Sequence, residues 1–315
     1  MTVQIAIDGQ DASVLAQQFV QRLQQNGRQA VWISGQTAEL PISQLAMICW
    51  ERGGVDGIGL AIRRLSAVAW EFGWQSARAA ARWKGGAQHA EIALEEVLKW
   101  RSDESAFTAS HVDMPPWTFV RADARWRDLF IDRVLGRRLV PSTGNSPPHL
   151  VFPGSFCPLH QGHRKMVNVA EGRIGQPVEL EISIHNVDKP TLDFFEIEQR
   201  LTSIAGYRPI WLTRAPTFIQ KTALFPDTTF LIGDDTIRRI IDLSYYADAR
   251  QQRQVQRELV ERGCRFLVFG RVCQGKFRTI SPLELPTELR GICQMVPEAE
   301  FREDISSTNV RGRTS

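Results

Sequence analysis

His149-Leu150-Val151-Phe152-Pro153-Gly154-Ser155-Phe156-Cys157-Pro158-Leu159-His160-Gln161-Gly162-His163 is the stretch on which the fold turns. Residues 149–152 are a short apolar run, as in a buried strand. Gly154 follows at once, permitting a tight turn and close approach of backbone to a phosphate. A polar loop then leads into His160-Gln161-Gly162-His163 at the start of a helix. A helix N-terminus presents unpaired N–H groups and the positive end of its dipole, and both favour an anion. Two imidazoles three residues apart on the first turn face the same side. There they can donate hydrogen bonds to a phosphate whose charge grows during transfer. Without the strand and turn before them, His160 and His163 would read as helix-capping histidines or part of a metal site. Zinc needs further ligands, and none stands nearby in sequence at metal spacing.

The alternation continues downstream. Strands are expected at His149–Phe152, Val178–His185, Pro209–Leu212, Thr229–Ile232 and Arg265–Phe269. Helices are expected after His163, at Phe194–Ala205, near Ala215–Phe225, at Asp235–Ile241 and at Gln251–Arg262. Strands separated by helices of this length predict a Rossmann-like parallel sheet with ligands at the carboxyl ends of its strands. Upstream, Arg137-Arg138-Leu139-Val140-Pro141-Ser142-Thr143-Gly144-Asn145-Ser146-Pro147-Pro148 gathers Pro, Gly, Ser, Thr and Asn and reads as a linker. It divides the chain into a separate α/β domain, residues 1–145, and a second domain, residues 146–315.

In the first domain, Val3 to Ile7 reads as a strand, and Asp11 caps a helix carrying Val14, Leu15, Phe19, Val20 and Leu23. Asn26-Gly27 ends that helix, and Ala30 to Ile33 reads as the next strand. Such a βαβ unit predicts parallel pairing. Ile42 to Trp100 reads as mostly helical, with a break at Lys84-Gly85-Gly86 and a further helix over Ala90–Trp100. A basic, Trp-containing helix is expected at about Ala122 to Leu135. Ile5-Ala6-Ile7-Asp8-Gly9 has the look of a P-loop start, which needs G-x-x-x-x-G-K-[ST]. Counting from Gly9, the last three positions hold Val14, Leu15 and Ala16, so the phosphate-binding Lys and the magnesium-binding hydroxyl are absent and ATP hydrolysis is rejected here. A degenerate P-loop-like domain is one reading. Another is a domain resembling the C-terminal domain of competence-damage-inducible proteins, on Lys84-Gly85-Gly86-Ala87 before a helix. A scaffold or dimerisation domain is the reading preferred to both.

The chain has 315 residues, enough for two domains; apolar residues make up 43% and charged residues 23%, as in a soluble globular protein. A net charge of +3 is too mild to argue for nucleic acid or a membrane surface, but suits an anionic ligand such as a nucleotide. Five scattered cysteines without a C-x-x-C pair fit free thiols in a reducing compartment. The N-terminus lacks a basic n-region with an apolar h-region, and no run of about 18 apolar residues exists to span a membrane. The expected compartment is the cytoplasm.

Gly154-Ser155-Phe156-x-Pro158-x-His160-x-Gly162-His163 resembles the signature of the nucleotidylyltransferase superfamily. That superfamily includes nicotinamide-nucleotide adenylyltransferases, phosphopantetheine adenylyltransferases and the cytidylyltransferases of lipid synthesis. The resemblance implies that His160 and His163 stabilise the pentacoordinate transition state at the α-phosphate, and that Gly154, Ser155, Phe156 and Gly162 surround the nucleotide. Cys157 stands where relatives carry Asn. A second stretch, Ile305-Ser306-Ser307-Thr308-Asn309-Val310-Arg311, resembles the signature I-S-S-T-x-I-R, with Val310 in place of Ile. By itself it would read as an ordinary N-cap with a solvated Arg. Paired with the first signature, Ser306, Ser307 and Thr308 are expected to hold phosphate oxygens, with Arg311 reaching the β- and γ-phosphates. The Ser-Ser-Thr form resembles adenylyl more than cytidylyl relatives, which makes ATP the first choice.

Between the signatures, Gly233-Asp234-Asp235 resembles the G-x-D that holds nucleotide or acceptor, with Gly233 and Asp235 as the matching residues. Lys189 follows the second strand, where relatives place a basic residue near the phosphates. Phe269-Gly270-Arg271 resembles a V-G-R segment beside the nucleotide, which brings in Arg271. Arg214 and Lys221 either meet an anionic acceptor or lie on a solvated face, and the solvated face is expected. Trp211 either stacks on an acceptor ring or is buried, and burial is expected. Asp188 to Asp193, Thr213 to Phe218 and Gly263 to Leu267 look closest to a branch named by analogy with nicotinamide-nucleotide adenylyltransferases.

The resemblance implies an enzyme that transfers a nucleotidyl group from ATP to a phosphate-bearing acceptor, with nicotinamide mononucleotide as a candidate. Pyrophosphate leaves, and Mg²⁺ bridges phosphate oxygens mostly without protein ligands. Nucleic acid and membrane are not expected partners, and a homo-oligomer is compatible. Two alternatives stand. A nucleotide-binding regulatory or scaffold protein with a silenced site is motivated by Cys157 and by the chain ending four residues after Arg311. A CTP-dependent cytidylyltransferase differs in its nucleotide.

Overall fold

The computed structural model describes residues 2–7, 29–32, 58–64, 70–75, 79–85, 118–121, 123–130, 134–139, 147–187, 192–273 and 275–303. The chain divides into two compact units, Met1–Val134 with Ile184–Glu198, and Leu135–Ser183 with Gln199–Ser315.

The first unit holds a six-stranded sheet of β1 (Thr2–Ile7), β2 (Gln29–Trp32), β3 (Ile58–Arg64), β4 (Trp70–Gln75), β5 (Ala79–Gly85) and β6 (Thr118–Arg121), in the order β2-β1-β3-β4-β5-β6. β1 runs parallel to both neighbours, as the βαβ pattern predicts, and β3 to β6 are antiparallel. The helices expected between β1 and β2 and over Ala90–Trp100 lie outside the described residues. The helical expectation for Ile42–Trp100 fails over β3, β4 and β5. Trp70, Phe72 and Trp74 alternate with Glu71 and Gly73, a period of two, and glycine weakens a helix while Ile and the aromatics favour strands. The register sets Leu60 opposite Trp74 and Ile62 opposite Phe72. The helix expected at about Ala122 to Leu135 shrinks to one turn, α1 (Ala124–Arg127), capped by Asp123, which accepts from the Arg125 N–H at 2.8 Å. Trp126, Leu129 and Phe130 are buried, and the Trp126 and Phe130 rings meet Phe194 edge-on at 5.0 and 4.8 Å. The strand β7 (Gly136–Arg138) belongs to the second unit.

The second unit continues with β8 (Leu150–Pro153), α2 (Gln161–Ile174) and β9 (Val178–Ser183). After the helix α3 (Phe194–Ile204) come β10 (Ile210–Thr213), α4 (Phe218–Leu224), β11 (Thr229–Gly233) and α5 (Asp234–Ile241). The last elements are α6 (Ala249–Glu261), β12 (Arg265–Phe269), β13 (Arg271–Cys273), β14 (Lys276–Arg278), α7 (Thr287–Arg290) and β15 (Cys293–Val296). The main sheet has the order β15-β12-β11-β8-β9-β10-β7, parallel except for β7. Chain order runs outward from β8 to β10 on one side and from β11 to β15 on the other. The reversal between β8 and β11 is the switch point at which a Rossmann-like sheet opens a crevice at its carboxyl edge. The five strands expected here are all present, with ends shifted by at most two residues. On one face, Val151, Phe230, Ile232, Phe266 and Val268 form a core with Phe225, Ile237, Ile240 and Leu259.

β9 departs from an all-apolar strand. Glu179 and Glu181 alternate with Val178, Leu180 and Ile182, and both acids are buried. Glu179 is met by the Arg138 guanidinium and by the Trp211 indole N–H at 2.7 Å. Glu181 receives Lys221 Nζ at 2.7 and 2.8 Å on its two oxygens, and the Thr213 hydroxyl as well. The third ammonium proton goes to the Ala215 carbonyl at 2.7 Å, so every donor of Lys221 is used. The solvated face expected for Lys221 is thus wrong: a buried carboxylate demands a cation, and this one is 4% exposed. Arg214 is half-buried, and its backbone N–H donates to the Leu135 carbonyl. Trp211 is half-buried and packs edge-on against Phe225 at 5.1 Å.

Lys221→Met leaves Glu181 buried without its cation and is expected to lower the unfolding free energy by roughly 3–5 kcal/mol. The double replacement Glu181→Leu with Lys221→Met is expected to recover most of that loss. Urea denaturation of the three proteins checks this, and a single-variant loss under about 1 kcal/mol would place the pair in solvent.

Candidate active site

The site grows out of β8, the strand beside the switch point. Leu150, Val151 and Phe152 are buried, and the Gly154 N–H donates to the Glu181 carbonyl at 2.9 Å, which carries the β8–β9 ladder into the loop. The chain then reverses through Phe156, whose φ of 43° is in the left-handed region. Its ring is fully buried, at 5.2 Å from Phe152 and 5.1 Å from His163, and its carbonyl accepts from the Ser203 hydroxyl at 3.0 Å. A Cβ on Gly154 would lie 2.7 Å from the tip of this ring. The glycine is therefore required by the aromatic knob folded beneath the loop. Ser155, next to it, is exposed.

His160 is the N-cap of α2, and its backbone N–H donates to His163 Nδ1 at 3.2 Å. The two rings stack with centroids 3.7 Å apart and planes 24° apart. Because Nδ1 of His163 accepts, the proton of the neutral ring resides on Nε2, where it can be donated outward. Burial pushes His163 down to about 3, and the neighbouring His160 pushes the same way. Burial also lowers His160, opposed by the Glu303 carboxylate. Gly162, between them, is buried. Lys165, half a turn beyond His163, donates to the Arg302 carbonyl at 2.9 Å and pairs with Glu303 at 3.1 Å.

Across the switch point, Gly233 ends β11 and caps α5, with open space where a side chain would stand. Asp235 is exposed and forms an ion pair with Arg271, so the structure brings these two expected residues together. Asp234, the middle residue of the triplet, is buried and accepts from Arg238 Nε at 2.8 Å. Lys189, Ser306, Ser307, Thr308 and Arg311 lie outside the described residues. The contacts that sequence reasoning missed are the Phe156 knob and the Lys165–Glu303 tie. A basic residue following H-x-G-H on the same helix was a signal for Lys165, whereas nothing local pointed to Glu303. Among the described residues no group of three His, Cys, Asp or Glu is placed to hold a metal ion, and no helix is long and apolar enough to cross a membrane.

Two outcomes are expected. Gly154→Ala drives a methyl group into the Phe156 ring and costs about 1–3 kcal/mol, measurable by thermal or urea unfolding. His163 stays neutral in the fold down to about pH 3, while the unfolded chain takes up the proton near 6.5. Between those values the unfolded state holds more protons, so His163 erodes stability as pH falls, by up to about 1.4 kcal/mol per pH unit. The stability of wild type relative to His163→Asn must therefore decline between about pH 6.5 and about pH 4. A difference that stays constant over that range would refute the buried neutral ring.

A family model described as cytidylyltransferase-like matches residues 151–313, just over half of the chain. No curated protein matches the chain. The matched span opens on β8 and takes in the loop held by Phe156, the helix that begins at His160, and all the later strands of the parallel sheet. The chain belongs to the cytidylyltransferase-like family, within the nucleotidylyltransferase superfamily, and its C-terminal half is a domain of nucleotidyltransferase type.

Proposed function

We propose that residues 146–315 transfer an adenylyl group from ATP to a small phosphate-bearing acceptor, for which nicotinamide mononucleotide is the first candidate. The observation that carries this reading is the stacked His160–His163 pair at the N-terminus of α2, beside the crevice where the strand order reverses. An acceptor phosphate oxygen attacks the α-phosphorus in line, and the bond to pyrophosphate breaks. Negative charge builds on the oxygens around that phosphorus, where His160 and the Nε2–H of His163 donate. Fixed donors aimed at developing charge are the largest part of such catalysis. Phosphates near the rings also favour their protonation, opposing the burial that keeps them neutral.

Gly154, Ser155, Phe156 and Gly162 shape the loop, with the Phe156 ring supporting it from below. Gly233, Asp235 and Arg271 take the nucleotide side. Lys189, Ser306, Ser307, Thr308 and Arg311 take phosphate oxygens, and Mg²⁺ would arrive with the nucleotide and offset its phosphate charge, with few ligands from the protein. The order of the chain supports this assignment of the second signature, because Glu303, just before it, acts on His160 and pairs with Lys165. The free thiols of Cys157, Cys264 and Cys293 support a reducing, cytoplasmic setting. Residues 1–145 serve as a scaffold or dimerisation domain. Cys157, where relatives carry Asn, favours a second reading in which the site binds nucleotide for regulation without turnover.

Pyrophosphate release is expected from ATP in preference to CTP when nicotinamide mononucleotide and other phosphorylated acceptors are supplied. His160→Ala is expected to cut turnover by roughly 10²–10³-fold while ATP binding persists. Binding of ATP by the wild type without turnover on any acceptor would favour the regulatory reading. Absence of both binding and turnover would overturn the proposal.

A further inference from the structure

The ribbon that follows β12 carries, beside the Arg271 already placed on the nucleotide side, two further cations that the reaction above does not use. β13 and β14 pair antiparallel with Arg271 opposite Arg278, Val272 opposite Phe277 and Cys273 opposite Lys276. Side chains alternate across a ribbon, so Arg271, Lys276 and Arg278 share one face, and Val272 and Phe277 share the other. The apolar face is seated firmly. A Cβ on Gly270 would lie 2.2 Å from the Phe277 ring and 2.7 Å from the Arg278 carbonyl oxygen, so the ribbon folds back directly onto the end of β12. Its tip is held by Arg302, which donates to the Gly275 carbonyl at 3.3 Å.

The cationic face looks across the carboxyl ends of β11 and β12, because Arg271 reaches Asp235 at the start of α5. All three cations are exposed. Among the described residues, Asp235 is the acid that meets this face, and neither Lys276 nor Arg278 has an acidic partner. Directly opposed like charges destabilise a strand pair. A ribbon needing charge only to stay soluble gains nothing from placing two guanidiniums opposite each other. An anion between them turns that repulsion into two charge-assisted contacts of the kind arginine makes with phosphate.

We propose that the face carrying Arg271, Lys276 and Arg278 is a phosphate subsite, with the Asp235 carboxylate as the group that an incoming phosphate displaces from Arg271. It rests on the nucleotidyl-transfer reading for the identity of the phosphate carrier, either the nucleotide tail or the acceptor. The subsite takes a compact polyanion and needs no metal ligand from the protein.

Calorimetric titration of the full chain tests this, comparing wild type with the double variant Lys276→Gln/Arg278→Gln. The probes are inorganic tripolyphosphate, ATP, AMP and nicotinamide mononucleotide, each at two salt concentrations. The double variant is expected to bind at least one phosphate probe about tenfold more weakly or worse, with a flatter salt dependence. Weaker tripolyphosphate and ATP with unchanged nicotinamide mononucleotide assigns the nucleotide tail. The reverse pattern assigns the acceptor phosphate. Asp235→Asn is expected to tighten tripolyphosphate binding by removing the competing carboxylate. Equal binding of all probes by wild type and double variant overturns the subsite, and turnover of ATP in that case leaves the transferase reading standing. Ribbon-dependent binding of tripolyphosphate without any nucleotide binding keeps the subsite and sinks the transferase reading. No binding of any probe by the wild type overturns both.

Discussion

Phe156 occupies the space that Gly154 leaves by having no side chain, and from there its ring supports both the loop above it and the His163 ring beside it. The arrangement is costly in isolation, since a bulky residue is held at positive φ. It persists because the ring is completely buried and its carbonyl is tied to Ser203. Catalytic geometry needs such a foundation: a loop free to wander would not hold two imidazoles 3.7 Å apart at the mouth of a crevice. The dependence runs outward from there. The Gly154 N–H anchors the loop to β9, and Glu181 on that strand holds Lys221, which in turn holds the Ala215 carbonyl after β10.

The sheet thus binds its carboxyl edge together with charge as well as with apolar packing. Glu179 and Glu181 face the same side as Val151, beside a core that is otherwise apolar. Each is matched by a cation and a further donor from neighbouring elements. Buried ion pairs are weak sources of stability, but they are strict about partners. Here they fix which strand and which helix come next to β9, and so the relative heights of the loops that follow β8, β9 and β10.

Much of this was legible in the sequence. Arg265–Phe269 is found with both ends as expected, because an aromatic and aliphatic run bounded by Cys264 and Gly270 has no helical period. Gly154, His160 and His163 were legible as a phosphate-binding turn. The function of Phe156 was not, because the letter is visible while the direction of its ring is set by packing. β7, β13, β14 and β15 were missed, being three or four residues long and defined by their partners. Over residues 58–64, 70–75 and 79–85 the aliphatic spacing suggests helix, whereas the strands found there follow the alternation of aromatics with polar and glycine positions. Glu303 escaped because it lies 138 residues from Lys165 in sequence, beyond any local pattern. The acids of β9 were the available clue to Lys221, since charges that alternate in a strand this apolar must find cations.

The burial of Lys221 has a consequence for amine chemistry. An ammonium whose three protons are all engaged, and which solvent barely touches, offers no lone pair to an acylating reagent. In the folded chain it is a silent amine, while Lys276 on the exposed ribbon is a reactive one. Covalent labelling of Lys221 would therefore record the opening of the sheet's carboxyl edge, making the lysine that organises the interior a built-in clock of its unfolding.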